Sequence, residues 1–204
     1  TLPRGALTRW RGLLGRDGLC LVDEAFQDVH DQEASDREMH ECTATADRAE
    51  LIRLRSVGKF FGLAGLRLGF VLADVERRAL LASRLSPWSV SHPARYVGAL
   101  ALADRDWQSL QRQRLWRSSD RLSALLRQHL PSEDWYSAGL FVSALVPAEK
   151  AKRFYTLMAE CGILLRLRDD AQTADGEAYV RVGLPAPLDW PRFIRALEQI
   201  CNEC

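Results

Sequence analysis

The sequence predicts an α/β protein with a mostly parallel sheet, followed by a small C-terminal α+β unit. Three observations predict it. Short strand-like runs at Leu19–Val22, Leu51–Arg55 and Gly69–Leu72 alternate with segments of helical period. A long helical stretch, Ala94–Leu130, then interrupts the pattern. Beyond Pro131 strands and helices alternate again on a smaller scale. The chain therefore divides into a first domain at 1–92, a connecting helix at 93–130 and a small domain at 131–204.

The elements follow in order. Leu7, Trp10, Leu13 and Leu14 recur at helical spacing, and Gly15 and Gly18 stop that helix. The chain does not begin with Met, and Thr1–Arg16 reads as an exposed helix joined to something upstream. Leu19–Val22 is continuously apolar, the mark of a strand buried on both faces. Asp31–Arg48 is polar and reads as a surface loop or short helix. Leu51–Arg55 is the next strand and Gly69–Leu72 another, with a helix at Val75–Arg84. Ser86–Pro93 is a connector, and Pro93 suits the first turn of a helix. The long helix carries one apolar stripe, including Val97, Leu100, Trp107, Leu122 and Leu126, and is expected to break near Asp104–Asp106. Pro131–Ser137 reads as a turn. Strands are expected at Leu140–Val146, Ile163–Leu167 and Tyr179–Leu184, with a polar loop at Arg168–Glu177. Helices are expected at Ala148–Cys161, ended by Gly162, and at Leu188–Ile200.

Composition narrows the function classes. The chain has 204 residues, 47% of them apolar and 27% charged, which is ordinary for a globular protein. A net charge of +1 gives no reason to expect nucleic acid or an anionic membrane as partner. No apolar run approaches the roughly 18 residues of a membrane span. The five cysteines are odd in number and scattered, which suits the reducing cytoplasm better than a disulfide framework. Cys201-x-x-Cys204 and His40-x-Cys42 have metal-like spacing but lack sequence partners, so no metal site is expected.

The most informative stretch is Ser56–Gly69, SVGKFFGLAGLRLG. Ser56 stands three residues before Lys59, Gly62 and Gly65 follow at three-residue steps, and Arg67 and Gly69 close the loop. The protein uses arginine almost everywhere a cation is wanted; its only lysines are Lys59, Lys150 and Lys152. Arginine cannot condense with an aldehyde, so a lysine inside an apolar, glycine-rich loop points to pyridoxal 5′-phosphate (PLP), whose aldehyde a lysine amine binds. A hydroxyl and a guanidinium nearby can take the phosphate. A nucleotide-binding P-loop places Lys between Gly and Ser or Thr, and here Gly58-Lys59 precedes Phe60, which rejects that reading. Asp23 and Ser56–Lys59 both follow predicted strands, at the ends where open α/β sheets collect ligands.

The set VDEAF at 22–26, RSVGKFFGLAGLRLGF at 55–70, PWSVSHPA at 87–94 and VRVGLP at 180–185 resembles the fold-type I PLP enzymes, the aspartate aminotransferase superfamily. Within it the chain is most similar to threonine-phosphate decarboxylases and histidinol-phosphate aminotransferases. The resemblance covers essentially the whole chain. It implies a partial PLP-transferase large domain followed by the small domain. By it, Lys59 carries PLP, Ser56 and Arg67 bind the phosphate, and Asp23 keeps the pyridine nitrogen protonated. Arg181 matches the arginine that clasps the substrate carboxylate, and Arg166 is a further candidate for a substrate phosphate or carboxylate. Arg168 is a weaker one, and Glu24 reads as structural.

Two departures stand out. Many relatives have Tyr three residues after the pyridine-binding Asp; this chain has Phe26. The N-terminal part of the fold, which supplies further cofactor contacts, has no counterpart here. The piece alone is therefore expected to expose apolar sheet, to need the missing segment or a partner chain, and to be inactive by itself. The implied activity is decarboxylation of an amino-acid phosphate, L-threonine O-3-phosphate, to aminopropanol phosphate in cobalamin biosynthesis. The implied assembly is a cytoplasmic homodimer. The alternatives are an aminotransferase of the histidinol-phosphate type and a non-catalytic fragment.

Overall fold

The computed structural model describes residues 5–14, 18–30, 50–130, 132, 134–168 and 176–201. The polar stretch Asp31–Arg48, most of the loop after Arg168, His40, Cys42 and Cys204 lie outside them. The chain forms two compact units, Thr1–Gln108 and Ser109–Cys204.

In the first unit, α1 (Ala6–Leu14) is followed by β1 (Leu19–Asp23), β2 (Glu50–Ser56) and β3 (Gly69–Leu72), then by α2 (Val75–Arg84) and α3 (His92–Ala103). β1 and β2 are parallel, in register from Leu19 opposite Glu50 to Asp23 opposite Leu54. β3 is antiparallel to β2, from Arg53 opposite Leu72 to Ser56 opposite Gly69, an exception within the expected mostly parallel sheet. The reason is the connection. A parallel return needs a crossover, usually a helix. Residues 57–68 instead fold back on themselves: the Leu63 N–H donates to the Val57 carbonyl at 3.1 Å, and only a short 3-10 turn, Ala64–Leu66, interrupts the loop. β1 also differs from expectation, since Leu19 and Leu21 are exposed and β1 is an edge strand of the described sheet.

Capping explains the helix starts. Asp74 accepts the Arg77 N–H at 2.8 Å at the head of α2, and Ser91 accepts the Ala94 N–H at 3.3 Å at the head of α3. Gly98 lets α3 lie against the lysine loop, because a Cβ there would run into the Leu68 side chain. The helical stretch does break at Asp104: α3 ends at Ala103 and α4 runs from Arg105 to His129. Asp104 accepts the Trp107 N–H at 3.0 Å, and the buried Gln108 amide donates to the Ala101 and Leu102 carbonyls at 3.0 and 3.1 Å. One side chain starts the new helix and the other satisfies carbonyls freed by the old one.

In the second unit, β4 (Trp135–Ser137), β5 (Phe141–Pro147), β6 (Arg166–Arg168) and β7 (Glu177–Gly183) form an antiparallel sheet in the order β4-β5-β7-β6. Alternation fixes its two faces. Val142, Ala144, Val146, Ala178, Val180 and Val182 are buried. They form one core with Phe154 and Met158 of α5 (Ala148–Glu160), Phe193, Leu197 and Ile200 of α6 (Trp190–Cys201), and Leu122 and Leu126 of α4. β4 lies in the stretch that reads as a turn. Its Trp-Tyr-Ser run is β-prone and pairs with Val142–Ala144 of β5, which outweighs the flanking turn-forming residues. β6 begins later than Ile163. Gly162, at φ 72°, ends α5, and the N–H groups of Gly162 and Ile163 bond back to Ala159 and Met158 at 2.8 Å each. Ile163 therefore belongs to the helix cap, and pairing starts only where Arg166 meets Arg181.

Candidate active site

The lysine loop is held from below. Val57, Phe60 and Phe61 are buried. The two phenyl rings lie edge-on with centroids 5.0 Å apart, and Trp107 packs on them at 5.5 and 5.8 Å. With those side chains turned inward, Lys59 is exposed. Its Nζ stands 5.4 Å from the centre of the Phe26 ring. Phe26 lies in the turn that Asp23 opens, where the Asp23 carboxylate accepts the Ala25 N–H at 2.9 Å. Asp23 and Lys59 thus follow adjacent parallel strands at their carboxyl ends, and the amine rests on the turn that begins with the carboxylate.

Ser56 and Arg67 bracket the loop. Ser56 Oγ accepts the Gly58 N–H at 3.4 Å. Arg67 is exposed at φ 52°, the only non-glycine residue at positive φ among the described residues, and its Nη1 donates to the Ala64 carbonyl at 3.1 Å. A side chain in left-handed backbone is strained, and such strain persists where the surroundings impose it.

Beneath the turn lies a buried ion cluster. Glu24 Oε1 accepts Arg53 Nε and Glu24 Oε2 accepts Arg55 Nε, both at 2.8 Å, while Arg55 Nη1 donates to Asp28 at 2.9 Å. Burial by itself would lower the Arg55 pKa, but the hydrogen bond and charge of Glu24, with Asp28 behind them, raise it above its ordinary value.

The second unit carries its own cavity, of about 780 Å³, on the sheet face opposite the core. Cross-strand register places Tyr136, Ser143, Arg181 and Arg166 in one row across all four strands. Arg168 and Tyr179 pair in the neighbouring row, and all six residues line the cavity. The Arg181 guanidinium lies 4.9 Å over the Phe141 ring, which orients it. Among the described residues no group of His, Cys, Asp and Glu could hold a metal ion. No helix described is long and apolar enough to cross a membrane.

The family model for aminotransferase class I and II matches residues 10–198. The chain belongs to that family. Among its relatives, threonine-phosphate decarboxylase of Pseudomonas aeruginosa is 41% identical over 94% of this chain and 54% of its own length. A histidinol-phosphate aminotransferase of Archaeoglobus fulgidus is 33% identical over 88% of this chain and 49% of its own. The chain thus spans about half the length of these curated relatives. The aminotransferase fold is equally plain: histidinol-phosphate aminotransferase of Sinorhizobium meliloti, solved in complex with pyridoxal-5′-phosphate, superposes with a TM-score of 0.78 over 99% of this chain and 54% of its own, at 20% identity. L-threonine-O-3-phosphate decarboxylase of Porphyromonas gingivalis gives 0.67 over 98% and 60%, at 20% identity.

Four features of this family member escape the sequence reading. Phe26 enters it only as a departure from Tyr, yet it carries the lysine amine. Arg55 looks like one more strand arginine. Phe141 under Arg181, and Ser143 and Tyr136 beside it, become visible only through cross-strand register. Alternation within Phe141–Pro147 does put Phe141 and Ser143 on one face, and that was the available signal.

Proposed function

We propose that this chain is the C-terminal part of a PLP-dependent decarboxylase acting on L-threonine O-3-phosphate, yielding aminopropanol phosphate for cobalamin biosynthesis. The observation that carries the proposal is the Lys59 amine, exposed and set on the turn opened by Asp23. The donor set fits PLP. An amine suits its aldehyde, a carboxylate its ring nitrogen, and a hydroxyl with a guanidinium its phosphate. Residues 1–92 are the end of the cofactor-binding domain, 93–130 the connecting helical segment and 131–204 the small domain. The full enzyme is a cytoplasmic homodimer.

Bound PLP supplies an electron sink for the pair released when a bond at the substrate Cα breaks. The chain's own residues do the rest. Lys59 would hold the cofactor through Nζ, and the same amine would supply the proton that returns to Cα. Asp23 would face the ring nitrogen and favour its protonated form. Ser56 and Arg67 hold the phosphate. Arg181, braced by Phe141, binds the substrate carboxylate in a charge-assisted contact, and Arg166 takes its phosphate or shares the carboxylate.

The relative at 33% identity favours a second reading, aminotransfer, in which Lys59 would take the proton from the substrate Cα. Incubating the PLP-loaded enzyme with L-threonine O-3-phosphate separates the two. Release of CO₂ without any 2-oxo acid partner is expected, and strict dependence on a 2-oxo acid overturns the decarboxylase reading. Borohydride treatment followed by peptide mapping is expected to fix the cofactor on Lys59. No adduct on the isolated chain, with one on the full enzyme, identifies the chain as a non-catalytic piece.

A further inference from the structure

Arg55 directly precedes Ser56, at the end of the strand that feeds the lysine loop. Glu24 directly follows Asp23, and its backbone N–H bonds to the Leu54 carbonyl at 2.9 Å. Arg55 reaches from the first of these strand ends to the turn beyond the second. Its Nε grips Glu24 at 2.8 Å and its Nη1 grips Asp28 at 2.9 Å. Phe26 lies midway between Glu24 and Asp28 in sequence, and the Lys59 amine rests on its ring. The turn carrying the amine's support is thus held at both ends by one guanidinium. The side chains of Arg55, Glu24 and Asp28 are 10%, 5% and 8% exposed.

Stability alone is a weak reason for such a cluster. Burying charge costs desolvation, and well-packed apolar side chains would often serve as well. A planar fork braces two carboxylates in fixed directions, which a single ammonium cannot do.

We propose that Arg55 is a positioning residue of the cofactor site, locking the Asp23–Asp28 turn to the Ser56–Lys59 loop so that the Asp23 carboxylate and the Lys59 amine keep a fixed relation. The inference rests on the reading of Asp23 and Lys59 as the cofactor site. It adds that their geometry is set by Arg55 acting through Glu24 and Asp28.

The test uses Arg55→Lys, Arg55→Met and Asp28→Asn in the PLP-loaded enzyme, with circular dichroism to confirm folding. The readout is the pH midpoint of the absorbance change of the Lys59-linked chromophore, which a purely structural role would leave in place. All three variants are expected to shift it by about one pH unit or more, as when a neighbouring charge is displaced. Lysine is expected not to rescue, because it keeps the charge and loses the fork. Hydrogen exchange is expected to speed up together in residues 24–28 and 57–63 of Arg55→Met. A folded Arg55→Lys with the wild-type midpoint overturns the positioning role while leaving the cofactor reading intact. A wild-type enzyme with no Lys59-linked band overturns the cofactor reading and this role together.

Discussion

Arg67 and Arg55 show how differently two arginines of one loop region are used. Arg67 is exposed and held in left-handed backbone at φ 52°. Glycine adopts that backbone freely. Arg67→Gly should therefore leave thermal stability unchanged or slightly higher. It should also weaken PLP binding about 10- to 100-fold, the usual worth of a hydrogen bond to a charged group. Equilibrium dialysis beside a thermal melt measures both, and intact affinity would remove Arg67 from the phosphate site. His30 makes a second test at this scale. Burial is the main cause that lowers its pKa below the ordinary 6.5. The folded state thus favours the neutral ring. The stability so gained is present above the unfolded value and is lost as pH falls through the folded one. His30→Gln should flatten the fall in melting temperature between roughly pH 7 and 5, relative to wild type.

At the scale of elements, the lysine loop is a short segment pinned by its own aromatic pair. Phe60 is 2% exposed and packs on both Phe61 and Trp107. Phe60→Ala removes that anchor and should cost the first unit about 3–5 kcal/mol. Denaturant unfolding followed by Trp107 fluorescence reads the loss, and a change below about 1 kcal/mol would mean the loop is held by its hydrogen bonds instead. The helix at Val75–Arg84, the first-turn Pro93 and the break near Asp104 were legible from composition and period, whereas the caps that Asp74, Ser91 and Asp104 supply came with the structure. The strands other than β4 were legible as runs of the right composition, though β6 starts later than its run suggests. Their pairing was not: β3 turns back along β2 because its loop closes on Val57, a contact that no periodicity encodes.

Across the whole molecule, the two units place different chemistry on different supports. The first presents the amine and carboxylate on loops after parallel strands. The second presents arginines on the open face of an antiparallel sheet whose other face is its core. Leu122 is fully buried in that core. Leu122→Ala should cost about 2–5 kcal/mol by urea unfolding, more than any change on the open face, where surface substitutions stay within about 0.5 kcal/mol. Arg181→Ala should therefore spare stability. It should cut kcat/KM for L-threonine O-3-phosphate about 10- to 100-fold in the full enzyme, by loss of one charge-assisted contact.

By itself the sequence determined most of the elements, the family and the identity of the candidate side chains. Each of these is written in local spacing: Ser56 three residues before Lys59, Asp23 at a strand end, apolar positions at helical period. Only the tertiary structure decided which residues stand beside them. Phe26 beneath the amine, Arg55 between Glu24 and Asp28, and Ser143 and Tyr136 in line with Arg181 are all meetings across strands or turns. Such meetings depend on register and on how a loop closes, and a one-dimensional pattern leaves both open.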